Sequence, residues 1–153
     1  AGKASASFGA SAAASLLSPP EELDRSLRAE FAMNIMRLRR GDKNGAVQAF
    51  RRMVGVSEGI VVAHKHMFTD FGMDLRKSQL NDLALTSFRR ALELSPDDSH
   101  ALFNVGRALY ELGKYREADE YLDRALNLEP DLACARRLKK KIRAGVGAFI
   151  PQE

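Results

Sequence analysis

Four residues of this 153-residue chain have the types and spacing to hold a metal ion. His66, His100 and Cys134 follow one another at intervals of 34, and Asp70 lies one helical turn beyond His66. If the three occupy the same place on successive helices, with axes about 8–10 Å apart, then His66, Asp70 and His100 could meet one ion, while Cys134 would be about two spacings from His66. Three ligands and an open position is the count of a catalytic zinc site. Against this, no spaced metal motif surrounds them, and His64 and His66, two apart on a helix, point to different sides. A polar groove wall explains the column better than a metal does. The other catalytic patterns are missing: the chain has no Gly-rich phosphate loop, no G-x-S-x-G and no H-E-x-x-H. Cys134 has only Arg137 nearby to activate it. Glu111, Glu117, Asp119, Glu120 and Asp123 lie among Arg116 and Arg124, as on a solvated helix face with pairs such as Glu120–Arg124. No enzyme, cofactor or metal is expected.

The interval of 34 runs through the whole second half. Phe68, Phe71, Gly72, Leu75, Ala84, Phe88, Ala91, Leu92, Leu94 and Pro96 return as Leu102, Val105, Gly106, Leu109, Ala118, Leu122, Ala125, Leu126, Leu128 and Pro130. Apolar positions return apolar, and Gly, Ala and Pro return unchanged. A fixed period of this length marks a stacked repeat, whose concave surface suits binding better than catalysis.

The spacing Leu102-x-x-Val105-Gly106-x-x-Leu109, then Ala118-x-x-x-Leu122 and Pro130, resembles the tetratricopeptide repeat, with aliphatic residues where aromatic ones are usual. The resemblance implies an all-α, right-handed solenoid of about three helix-turn-helix units plus a C-terminal capping helix. Repeats are expected at about 65–98 and 99–132, from helix pairs 60–77 with 80–95 and 98–112 with 115–129. Pro96 and Pro130 stop the second helix of each pair.

A further repeat precedes these two, at about 24–59. Ala46-x-x-x-Phe50 mirrors Ala84-x-x-x-Phe88, but the step is 38, so about one helical turn is extra. Gly55 to Gly59 is the expected place for it. Asn34 stands where Gly72 and Gly106 stand, which predicts a splayed or differently packed first pair. Its first helix should begin at Ser18-Pro19-Pro20-Glu21, a capping box with Pro at the first turn, and carry the apolar stripe Leu23, Leu27, Phe31, Ile35 and Leu38. The Ala/Ser-rich residues 1–17 are expected to be a disordered tail, with residues 146–153 a second tail. The folded domain then spans 18–145. Its capping helix, 132–144, should turn Ala135, Leu138 and Ile142 inward. Arg136, Arg137, Lys139, Lys140, Lys141 and Arg143 should then form a polar outer face.

In the family the first helix of each pair lines the binding groove. The resemblance therefore implies contact residues Arg28, Phe31, Ile35, Leu38 and Arg39 in the first repeat, and His66, Thr69, Asp70, Met73, Arg76 and Lys77 in the second. His100, Phe103, Asn104, Arg107 and Tyr110 follow in the third, and Arg137 and Lys141 in the capping helix. Chaperone-binding members clamp a C-terminal carboxylate with Lys, Asn, Asn, Lys and Arg. Thr69, Met73, Asn104, Cys134 and Leu138 stand at those places here, so only Asn104 matches and this clamp is not expected. Cations outnumber carboxylates along the groove, which points to an acidic or amphipathic peptide as partner.

The totals fit that picture. Net charge is +4, with 45% hydrophobic and 29% charged residues. No apolar run approaches the roughly 20 residues of a membrane span. A single Cys forms no internal disulfide framework, and a cytoplasmic location is expected, with the periplasm left open. Nucleic acid is not the expected partner, since no aromatics interleave the basic run. Homodimerisation is left open. The function expected is a protein-interaction adaptor. The alternative is a dedicated chaperone resembling three-repeat secretion chaperones, with a metal-dependent enzyme a distant third.

Overall fold

The structure, a computed structural model, describes residues 20–54 and 60–148. Among these are seven α-helices: α1 (Pro20–Arg39), α2 (Lys43–Val54), α3 (Lys65–Lys77), α4 (Asn81–Leu94), α5 (Ser99–Glu111), α6 (Tyr115–Leu128) and α7 (Ala133–Ala148), and no strand. Helices α1–α2, α3–α4 and α5–α6 form three antiparallel pairs that stack in chain order, and α7 closes the stack against α6 and α5.

Each pair turns the same way. Gly41, Gln79 and Gly113 hold φ of 85°, 65° and 78° at equivalent places, just past the first helix of their repeats. The next amide reaches back to the last turn: Asp42 N–H to Arg37 O at 2.9 Å, Leu80 to Leu75 at 2.9 Å and Lys114 to Leu109 at 2.9 Å. This left-handed cap favours glycine, and Gln79 occupies it at a cost. Side chains start two of the helices. Asp42 accepts from Gly45 N–H at 3.0 Å, and Asp98 accepts from His100 and Ala101 N–H at 2.9 and 3.2 Å. Asp98 also pairs with Lys65 Nζ at 2.7 Å. Burial alone would raise its carboxyl, but Lys65 and the two amides outweigh that and hold it below its ordinary value.

Within the second and third pairs the helices touch across a glycine. A Cβ on Gly72 would lie 2.6 Å from the buried Phe88 ring, and one on Gly106 would lie 3.2 Å from Leu122. In the first pair Asn34 fills that place. It is buried, donates to Met53 Sδ at 3.1 Å and accepts from Arg37 at 3.0 Å. Repeats join through aromatic rings: Phe31 meets Phe68 edge-on at 4.9 Å and Phe71 at 5.9 Å, while Phe50 meets Phe71 at 5.0 Å. The buried Ser87 hydroxyl donates to Phe68 O at 2.6 Å.

The boundaries differ from expectation in two places. The second repeat opens not with α-helix from residue 60 but with a single 3₁₀ turn, Val62–His64. Its buried His64 ties that turn to α1: Nδ1 accepts from Val61 N–H at 2.9 Å, and Nε2 lies 3.0 Å from Asp24 Oδ1. Helix α7 continues to Ala148, so the expected tail at 146–153 begins too early. The Ser18 cap, the 1–17 tail and the extra turn at Gly55–Gly59 lie outside the described residues.

Gln79→Gly should raise stability by about 1 kcal/mol by relieving the left-handed residue. Gly72→Ala should lower it by about 1–3 kcal/mol, because the ring it would push is walled in. Urea unfolding midpoints of the two variants against the parent check both signs.

Candidate functional site

Four of the residues proposed for a binding groove, Met73, Arg76, Phe103 and Asn104, gather around Arg107 of α5. Its guanidinium lies over the Phe103 ring at 5.3 Å, and Nη2 reaches Met73 Sδ of α3 at 2.8 Å and Asn104 Oδ1 at 3.2 Å. Helical spacing of three and four places Phe103, Asn104 and Arg107 together, and Met73 arrives from the neighbouring repeat. Arg76 stands beside it, held by Glu111 at 3.0 Å, and Cys134 of α7 lies within electrostatic reach. The Nε of both arginines is buried without a hydrogen-bond partner. Burial, and then the charge of Arg76, draw the Arg107 pKa down from its usual value, Glu111 acting weakly the other way. An arginine does not lose its proton under such shifts. Arg107 is therefore a half-buried cation with no carboxylate of its own.

Tyr110 extends this face by one turn. It is half-buried, and its ring stacks at a tilt on Tyr115 of α6, 5.4 Å away. Lys77, Arg137 and Lys141 are exposed and enter no ion pair among the described residues.

Several expected contact residues do something else. Phe31 is only 3% exposed and belongs to the core between repeats, so it cannot anchor a ligand; Leu38 is buried too. Ile35 packs half-buried against the same core. Three of the expected free cations are matched: Arg28 by Asp24 at 2.6 Å, Arg39 by Asp74 at 3.6 Å and Arg76 by Glu111. The positive excess is thus smaller than composition implies and centres on Arg107. His66 and Asp70 are exposed, and His100 lies 3.8 Å from Glu129. Among the described residues no three His, Cys, Asp or Glu side chains gather to hold a metal.

Other partners differ from their sequence reading. Arg124 lies over the Tyr121 ring at 5.1 Å rather than pairing with Glu120. Lys139, expected on the outer face of α7, turns in to Asp119 at 3.3 Å and to Asp123, and fastens α7 to α6. Burial alone would lower its pKa, but the two carboxylates outweigh burial and raise it. Spacing on one helix cannot reveal a contact between two.

The family model described as tetratricopeptide repeat matches residues 69–133. Human protein O-mannosyl-transferase TMTC1 is 38% identical over 84 residues, 50% of this chain and 10% of that protein. The chain spans only 6–15% of the length of the curated relatives it matches. Among solved structures, the first repeat domain of Spaghetti (RPAP3) bound to the HSP90 peptide SRMEEVD superposes with a TM-score of 0.57 at 18% identity. It covers 78% of this chain and 91% of that one. YrrB, described as having an unusual peptide-binding site, gives 0.53 at 23% identity, covering 79% and 64%. At these identities the likeness is one of fold. No helix among the described residues is long and apolar enough to cross a membrane.

Arg107→Met should leave the melting temperature unchanged or slightly higher, since it removes a desolvated charge that no carboxylate offsets. Lys139→Met should lower stability by about 1 kcal/mol, since it leaves two carboxylates facing each other. Thermal melts of both variants test whether Arg107 is kept for something other than folding.

Proposed function

This chain belongs to the tetratricopeptide repeat family, and on that premise we propose that it is a non-enzymatic adaptor whose concave face holds an acidic, amphipathic peptide of a partner protein. The observation that carries the proposal is Arg107: a guanidinium oriented by Met73, Asn104 and Phe103, without a carboxylate partner, on the first helix of the third repeat. A peptide carboxylate would take the open positions of that fork, and such charge-assisted bonds are the strong ones. Phe103 and Tyr110 supply half-buried apolar surface beside it, and Lys77, Arg137 and Lys141 supply a positive rim.

The solved neighbours RPAP3, bound to an HSP90 peptide, and YrrB, with its unusual peptide-binding site, support a peptide ligand, and SRMEEVD is itself acidic. The route here differs from the chaperone clamp, because Thr69, Met73, Cys134 and Leu138 cannot supply its cations and amide. A leading helix with a free apolar stripe would suit the alternative, a secretion-type chaperone. That stripe is the core of the first repeat, with Leu27, Phe31 and Leu38 buried, which favours the adaptor. A reducing compartment such as the cytoplasm suits the free thiol of Cys134.

The test is a labelled acidic peptide carrying Phe and Leu, titrated against the protein by fluorescence anisotropy. Binding should weaken several-fold between low and physiological salt. Arg107→Ala and Tyr110→Ala should each cost about tenfold or more, the loss expected for an anchor at an interface. Affinity indifferent both to salt and to Arg107→Ala would overturn the proposal.

A further inference from the structure

The first repeat presents to solvent the face that the later repeats bury. Phe71 of α3 is fully buried against Phe31 and Phe50 of the repeat before it, and Val105 of α5 is fully buried at the equivalent place. Their counterpart in α1, by the steps of 38 and 34 residues, is Met33, which is 54% exposed. Beneath it, α1 and α2 part into a pocket of about 410 Å³ over Ala49, Met53 and the Asn34 carboxamide, with Glu30, Arg37 and Arg52 at its edge. The parting has a cause. Where Gly72 lets α3 close on α4, the Asn34 side chain stands between α1 and α2. What such a seat takes is visible one repeat later, where Phe31 and Phe50 of the preceding pair lie on Phe71 at 5.9 and 5.0 Å.

We propose that this open end is a second docking site, separate from the concave groove, and that it receives an acidic amphipathic helix of a partner protein, one bulky apolar side chain of which enters the pocket. Charge selects the occupant. Arg37 and Arg52 flank the opening, stand in no ion pair among the described residues and face a single wall carboxylate, Glu30. A second copy stacked head to tail would bring the outer face of α7, with Arg136, Arg137, Lys140 and Lys141 exposed, against these arginines. Two copies meeting end to end would set the arginines against themselves. Like charges across an interface exclude wrong partners, so a helix bearing carboxylates fits and a copy of this chain does not.

The five methionines make the test direct. Met33 and Met53 report the end pocket, and Met73 reports the groove beside Arg107. Two synthetic helical peptides of about five turns share a Leu/Phe stripe and differ only in Glu or Lys on its flanks. Each is titrated into the full chain with ¹³C-methyl methionine. The Glu peptide should shift Met33 and Met53, and Met33→Glu, at an exposed position, should weaken that response at least tenfold while Met73 keeps its own behaviour. Arg52→Glu should move the preference toward the Lys peptide. Shifts confined to Met73, or equal binding of both peptides at Met33, would overturn the proposal. So would a protein that sediments as a dimer and becomes a monomer on Met33→Glu. Because groove and end are read by different methyls, failure of one leaves the other standing.

Discussion

Two helices of a repeat close tightly here where one of them lacks a side chain. Gly72 beneath Phe88 and Gly106 beneath Leu122 set how closely each pair closes. That closure aims Phe71 backward onto Phe31 and Phe50 of the preceding repeat, and buries Val105 at the equivalent place. The stack follows from it, because a pair that closes at a fixed distance offers the next pair a fixed surface. Asn34 shows the converse. With a carboxamide in the glycine's place the first pair stays parted and binds its own Met53 and Arg37 instead.

Charges then serve two purposes that their positions alone do not separate. Lys65 with Asp98, Arg76 with Glu111 and Lys139 with Asp119 and Asp123 tie one element to the next. Arg107 ties nothing of that kind, because its contacts are a thioether, an amide oxygen and a ring. These orient it without neutralising it. A preoriented cation costs a ligand less ordering than a free one would.

The repeats were legible in the sequence because Gly, Ala and Pro recur wherever the backbone needs them, and substituting any of them changes the packing. The gathering of Phe103, Asn104 and Arg107 on one face of α5 was legible in their spacing. The groove was misread in the first repeat. There the apolar stripe of α1 was divided between core and groove by resemblance, and Phe31 went to the wrong side. Period says which positions correspond; it does not say which face remains open at the end of a stack. Contacts spanning distant residues, such as His64 with Asp24 or Lys139 with Asp123, leave no periodic trace, because each is made once.

The exposed Met33 also bears on how the chain comes apart. In a one-dimensional stack an inner repeat is held by two interfaces and an outer one by a single interface, so opening is easiest from the ends. At the far end α7 provides a lid, pinned by Lys139. Among the described residues the near end has none. The parted first pair, with Asn34 in the glycine's place, is the looser one, so the amides of α1 and α2 would exchange with solvent ahead of those in α3 to α6. Anything seated on Met33 would turn the outermost repeat into an inner one, so that occupancy at one end is felt as slower opening several helices away.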